Sequence, residues 1–288
     1  MNIFLTGATG YVGSVIAEEL RKAGHTVSGL ARSQDAAAKL KASGVEPISG
    51  DLTAPAALRT AAARADGVIH AAMSWGADTA QVDEAAVRTI LDALAGSGKP
   101  FLYTSGVWVL GDTKGHVAGE IWKPRPPAIV AWRPAVEQLV MGGGERKVRG
   151  IVIRPAMVYG RGGGFTAGFV KEARQTGVVH IVGDGNNHMS FVPVEGLAKL
   201  YVLAVESPLG GELFLAADGP AFTVRSVAEA TGARVETIPL DVARTQMGPL
   251  ADALIMDQRV MTTKAGRLLG WDPRYPNVLE EVKRMMAS

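Results

Sequence analysis

The sequence predicts a doubly wound α/β fold, a parallel sheet covered by helices on both faces, followed by a smaller C-terminal region. Three observations predict it. Short β-rich apolar runs alternate with alanine-rich segments of helical period through the first half of the chain. The first of these runs leads directly into glycines at positions 7, 10 and 13, after which a helical pattern begins. The 288 residues, 47% of them hydrophobic, are enough to bury one large core or two unequal ones.

Taken in order, the expected strands are Asn2 to Thr6, Thr26 to Ala31, Val45 to Ser49, Gly67 to His70, Pro100 to Ser105 and Arg149 to Arg154. Between them, Tyr11 to Ala23, Asp35 to Ala42, Pro55 to Ala63 and Ala80 to Leu94 carry the helical period. Right-handed crossovers put such helices on both faces of a parallel sheet. From about Tyr159 the rhythm loosens into glycine-rich turns and short strands, so the expected division is 1–158 and 159–288, with later segments returning to the first part. Arg161-Gly162-Gly163-Gly164 is too short to link independent domains and reads as a loop.

A formal net charge of +2 gives no support for nucleic-acid binding by bulk electrostatics. The absence of cysteine excludes disulfides, thiolate nucleophiles and thiolate-bound metals. No basic leader precedes the first strand and no apolar run reaches membrane-spanning length, so a soluble, cytoplasmic protein with no membrane partner is expected. The five histidines are scattered without ligand spacing, and no metal site is expected.

Chemistry begins at Thr6-Gly7-Ala8-Thr9-Gly10-Tyr11-Val12-Gly13. A strand, a glycine turn and a helix start offer backbone N–H groups and a positive helix end to a pyrophosphate, and glycine lets the backbone approach it closely. The second strand ends at Arg32-Ser33 rather than at an acidic residue. Arginine has no acceptor for a ribose hydroxyl but binds a 2′-phosphate bidentately, which favours NADP over NAD. A surface cation would look the same in sequence. Asp51-Leu52 follows the third strand, where the carboxylate could take an adenine amino group or serve as a turn residue. His70-Ala71-Ala72-Met73 ends the fourth strand with small residues that let the chain pass close to a flat cofactor; a buried, hydrogen-bonded His70 is the plainer reading.

These segments resemble the short-chain dehydrogenase/reductase superfamily, in its extended, epimerase/dehydratase-like branch. The resemblance continues through Tyr103-Thr104-Ser105, Arg154 to Gly160, Gly183-Asp184-Gly185, Phe191 to Ala198 and Leu269 to Pro273. It implies a Rossmann-like core and a C-terminal substrate-binding region. It also implies cofactor contacts from Gly7, Thr9, Gly10, Tyr11, Val12 and Gly13, from Arg32 and Ser33, and from Asp51 and Leu52. Ala71, Ala72, Met73, Thr104 and Arg133 follow, with Pro155, Met157 and Val158 beside the nicotinamide. The helices Ala80 to Leu94 and Pro134 to Met141 are where such proteins commonly form homodimers.

The resemblance breaks at the proton-handling positions. Aligning Gly111 and the run Glu137 to Val140 places Gly106, Ile129 and Arg133 where the family carries its serine or threonine, its tyrosine and its lysine. Isoleucine cannot give a proton to a carbonyl oxygen, and arginine keeps the lysine's charge and hydrogen bonds without deprotonating. Tyr159 and Ser105 are therefore the candidate proton handlers, with His188, Glu120 and His116 behind them. Trp108, Trp122 and Trp132, with Arg161 and His188, are candidate walls of a substrate pocket suited to an apolar or aromatic carbonyl or alcohol compound. The expected function is an NADP(H)-dependent oxidoreductase with a remodelled active site. Its alternatives are an NADP(H)-sensing binding protein and a redox-neutral epimerase or dehydratase.

Overall fold

The structure, a computed structural model, describes residues 1–74 and 76–288. Its central sheet holds β1 (Asn2–Thr6), β2 (Thr26–Ala31), β3 (Glu46–Ser49), β4 (Gly67–His70), β5 (Pro100–Thr104), β6 (Arg149–Pro155) and β7 (Glu212–Ala216). Their order across the sheet is β7-β6-β5-β4-β1-β2-β3, and the pairings from β6 to β3 are parallel. The order reverses beside β1, the place where doubly wound sheets bind ligands outside their strand C-termini.

Ile3, Phe4, Leu5, Val68, Ile69, Phe101, Leu102, Ile151 and Val152 are fully buried. Continuous apolar runs of this kind belong to parallel strands covered on both faces. The covering helices are α1 (Tyr11–Lys22), α2 (Gln34–Ala42), α3 (Pro55–Arg64), α4 (Thr79–Leu94), α5 (Arg133–Met141) and α6 (Val194–Glu206). Local chemistry sets several of their starts. The Ser33 hydroxyl accepts from the Ala36 N–H and caps α2, while Pro55 and Pro134 occupy first-turn positions where a missing N–H costs nothing.

Two compact units emerge. The first contains residues 1–105, 132–153 and 198–214; the second contains 106–131, 154–197 and 215–288. A single cut at 158/159 is thus corrected on both sides. Residues 106–131 and 154–158 belong to the second unit, whereas 198–214 return to the first because Val205 packs where Gly67 leaves room on β4 and β7 extends the sheet. The second unit has its own core around Tyr159, Val170, Val179, Phe191, Val227 and Val282. There Met157–Gly160 pairs in parallel with Phe191–Pro193, and Val178–Val182 with Arg234–Ile238. Its late Leu269 to Pro273 motif has a packing role: the Trp271 indole N–H donates to the Gly196 carbonyl at 2.7 Å, and a Cβ on Gly196 would press Pro273 at 3.0 Å. Among the described residues no helix is long and apolar enough to cross a membrane.

Candidate cofactor and active site

The glycine turn is built by close approach. Gly7 has φ +79°, and a Cβ on it would lie 2.6 Å from the Ala71 carbonyl oxygen. A Cβ on Gly13 would lie 2.0 Å from the Gly7 oxygen, so the first turn of α1 can sit on the turn only without a side chain there. Gly10 closes the turn by donating to the Gly7 carbonyl at 2.8 Å and then caps α1 in extended geometry. No acidic residue occupies the first turn of α1, which leaves the helix N-terminus positive toward an anion. Thr9 is exposed, and Tyr11 and Val12 are half-buried in that first turn.

Behind the turn lies a buried polar chain that sequence reading missed. Thr6, His70 and Tyr103 stand side by side in register on β1, β4 and β5. The Tyr103 hydroxyl donates to Asp83 Oδ2 at 2.7 Å, and His70 Nε2 lies 3.1 Å from Asp83 Oδ1. His70 Nδ1 lies 2.7 Å from Thr6 Oγ1, which also accepts from the Ala72 N–H at 3.3 Å. With Nε2 as donor to Asp83 and the Thr6 hydroxyl as donor to Nδ1, every contact in the chain has one donor and one acceptor. The chain fixes Ala71 and Ala72 against Gly7. Its signal was present in the sequence, because Asp83 falls on the same helical stripe as the buried Val87, Ile90 and Leu94. His70 thereby takes the plainer of its two roles.

At the adenosine side, Arg32 and Ser33 are exposed at the end of β2. Ser33 spends its hydroxyl capping α2. Asp51 Oδ1 accepts from the Thr53 N–H at 2.8 Å and the Thr53 hydroxyl at 2.6 Å. These hydrogen bonds, with the charge of Arg32, hold the Asp51 carboxyl below the usual carboxylate range. Asp51 thus holds the turn through one carboxylate oxygen, and Arg32 is near enough to act on it electrostatically. Leu52 lines a cavity of ≈ 340 Å³ with Val82, Ala85 and Thr89 of α4.

The far end of β5 carries the second focus. Arg133 opens α5, is 9% exposed, and donates from Nη1 to the Thr104 carbonyl at 2.9 Å and from Nη2 to Met73 Sδ at 3.0 Å. Its guanidinium carbon lies 4.8 Å from the Trp132 ring centroid. Thr104 Oγ1 is 2.6 Å from the hydroxyl of Tyr201, a buried residue of α6 that sequence reading also missed. Burial drives the Tyr201 hydroxyl pKa upward, and burial likewise raises that of Tyr103. Ser105, 8% exposed, has its Oγ buried without a partner among the described residues, as does Ser74.

Tyr159 is corrected. It is 3% exposed in the core of the second unit, donates to the Pro276 carbonyl at 2.8 Å, and meets Phe191 edge to face. Burial and then the charge of Asp218 raise its pKa, and its hydroxyl proton is engaged with the Pro276 carbonyl. Pro155, Met157 and Val158 also belong to the second unit. Arg161, a candidate pocket wall, donates there from Nε to Glu195 at 2.8 Å. His188 Nδ1 lies 2.9 Å from Asp257 Oδ1, whose second oxygen accepts from the Gly115 N–H at 3.0 Å. Burial alone would raise the Asp257 pKa; hydrogen bonds from the His188 backbone and ring and from Gly115, with the charge of Arg259, bring it below normal. Trp108 Nε1 is buried with no partner among the described residues, and Trp122 packs near His116 with ring centroids 6.4 Å apart. Ile129 is half-buried in the short turn Ala128–Val130, and a Cβ on Gly106 would meet only the Pro155 carbonyl at 3.9 Å.

A parallel sheet that reverses order beside β1, with an anion-ready glycine turn on β1, defines a dinucleotide-binding protein. Residues 3–215 match the NAD dependent epimerase/dehydratase family, and the chain belongs to that family. It is accordingly an NAD(P)-dependent oxidoreductase or epimerase-like enzyme. An uncharacterized protein of Saccharomyces cerevisiae is 31% identical over 297 residues, covering 98% of each chain. The 4-hydroxy-2-methyl-3-oxo-4-farnesyl-3,4-dihydroquinoline-1-oxide ketoreductase of Stigmatella aurantiaca is 29% identical over 260 residues, 85% of this chain and 78% of its own. In fold, the chain is similar to the dTDP-glucose 4,6-dehydratase of Bacillus anthracis solved with NAD. The TM-score is 0.83 over 100% of this chain and 96% of that one, at 15% identity.

Proposed function

We propose that the protein is an NADP(H)-dependent reductase of a small, apolar or aromatic carbonyl compound. The observation that carries the cofactor choice is Arg32, an exposed cation at the end of β2 where an NAD-preferring site needs a carboxylate. The turn at Gly7, Gly10 and Gly13 takes the pyrophosphate, Arg32 the 2′-phosphate, and the end of β5 at Thr104 the nicotinamide ribose. When bound, the cofactor supplies hydride. The kinship to a named ketoreductase supports reduction over epimerisation. The test is cofactor preference by titration calorimetry. Wild type is expected to bind NADPH at least tenfold more tightly than NADH, and Arg32→Glu to reverse that order; equal affinities in wild type would refute the assignment.

A second reading, an NADP(H) sensor without turnover, is favoured by the loss of the usual tyrosine and by Tyr159 being occupied in a core. It predicts an NADPH-dependent change of oligomeric state in light scattering without NADPH consumption over a broad carbonyl panel. A homodimer through α4 and α5 is the state such a switch would act on.

A further inference from the structure

We propose that Arg133 is a catalytic residue that holds an oxyanion: with the Ser105 hydroxyl, its guanidinium receives the substrate's carbonyl oxygen and carries the negative charge that develops there. This rests on the reductase reading. The fork is braced from one side only. One N–H on each terminal nitrogen is spent on the Thr104 carbonyl and on Met73 Sδ, and Trp132 covers its face, leaving N–H groups with no partner among the described residues. The residues directly after these two braces are Ser105 and Ser74, and both hydroxyls are buried without a partner among the described residues. Buried hydroxyls in want of a partner, each one residue along the chain from a group that the guanidinium holds, mark a place for an acceptor atom. It lies at the C-terminal end of β5, on the rim where a doubly wound sheet takes its ligands.

The titratable side chains of this unit packed nearest are engaged or buried. Tyr103 on β5 is committed to Asp83 of α4, Tyr201 of α6 is committed to Thr104, and Glu137 of α5 is fully buried. A guanidinium donates hydrogen bonds without giving up its proton. A bound NADPH would supply hydride to the carbonyl carbon and be oxidised to NADP⁺; the C=O π pair would pass to oxygen, where the Arg133 N–H and Ser105 O–H would hold the alkoxide until water protonates it. Charge stabilisation by a fixed cation replaces proton donation by a tyrosine. The substrate class that fits is a neutral ketone or aldehyde.

Two readouts test this. In the NADP⁺ complex, acetate serves as a stable oxyanion, followed by tryptophan fluorescence. Saturable binding is expected, weakened at least tenfold by Arg133→Gln and several-fold by Ser105→Ala, in variants whose melting temperatures match wild type. In ketone reduction, wild-type kcat is expected to stay flat from about pH 6 to about pH 9. Arg133→Gln lowers kcat by about 10²–10³ at saturating NADPH. Arg133→Lys retains activity that declines toward alkaline pH as the lysine deprotonates. Absence of acetate binding in wild type, acetate affinity unchanged in Arg133→Gln, or a wild-type kcat that falls through a single pKa overturns the proposal. A normal kcat with only a raised NADPH KM in Arg133→Gln does so too, because it reduces Arg133 to a ribose contact. If acetate binds as expected and no carbonyl is reduced, the reductase reading fails while the oxyanion site stands. Carbonyl reduction that is indifferent to Arg133 overturns the oxyanion site and leaves the reductase reading in place.

Discussion

Tyr159 separates a motif's position from its chemistry. Its place after Arg154-Pro155-Ala156-Met157-Val158 made it a natural acid in sequence, but its hydroxyl is tied to Pro276, a partner set only by tertiary packing. Tyr159→Phe is expected to cost about 1 kcal/mol from the lost hydrogen bond, a melting shift of roughly 2–4 °C, with kcat unchanged. A collapse of kcat at unchanged stability would restore it as an acid. Asp257 behaves differently because its carboxyl lies below its unfolded value. Such a group stabilises the fold fully above the unfolded pKa of roughly 4, and that contribution vanishes as pH falls through the folded value. Melting temperatures of wild type and Asp257→Asn should therefore differ at neutral pH and converge as pH falls below the unfolded value of roughly 4. A constant gap across that range would show that the His188 contact does not govern its charge.

At the level of elements, the strands and helices of the first unit were legible because burial on both faces writes long apolar runs and helices write period 3.6. Asn2–Thr6, Thr26–Ala31 and Gly67–His70 fall where the pattern put them. β7 was not legible: Glu212–Ala216 is a short apolar run far along the chain, and nothing local shows that it joins the sheet edge. Asp83 stood out on the buried stripe of α4, but its joining to Tyr103, His70 and Thr6 was hidden for a related reason, since it depends on strand register joining residues far apart in sequence. Removing its anion, as in Asp83→Leu, should cost about 3–5 kcal/mol because His70 and Tyr103 lose a buried partner. The test is denaturant unfolding together with NADPH titration. Affinity should fall along with stability if the chain sets the Ala71–Ala72 backbone against Gly7. Gly13→Ala forces the backbone of the turn apart, with an expected loss of about 1–3 kcal/mol and of cofactor affinity together.

For the molecule as a whole, the cofactor half of the function was readable from a few contiguous segments, whereas the catalytic half was not. On the proposed reading the place of the usual tyrosine is taken by an arginine braced at the C-terminal ends of two strands of the sheet. Hydride transfer from NADPH to a carbonyl without the usual tyrosine is the proposal on which the rest depends. NADPH deuterated at either face of nicotinamide C4, with mass spectrometry of the alcohol formed from an aromatic ketone, addresses it without intermediaries. Deuterium from one of the two labelled faces is expected in the product. NADPH that binds tightly yet keeps both labels through prolonged incubation with a broad carbonyl panel would contradict it.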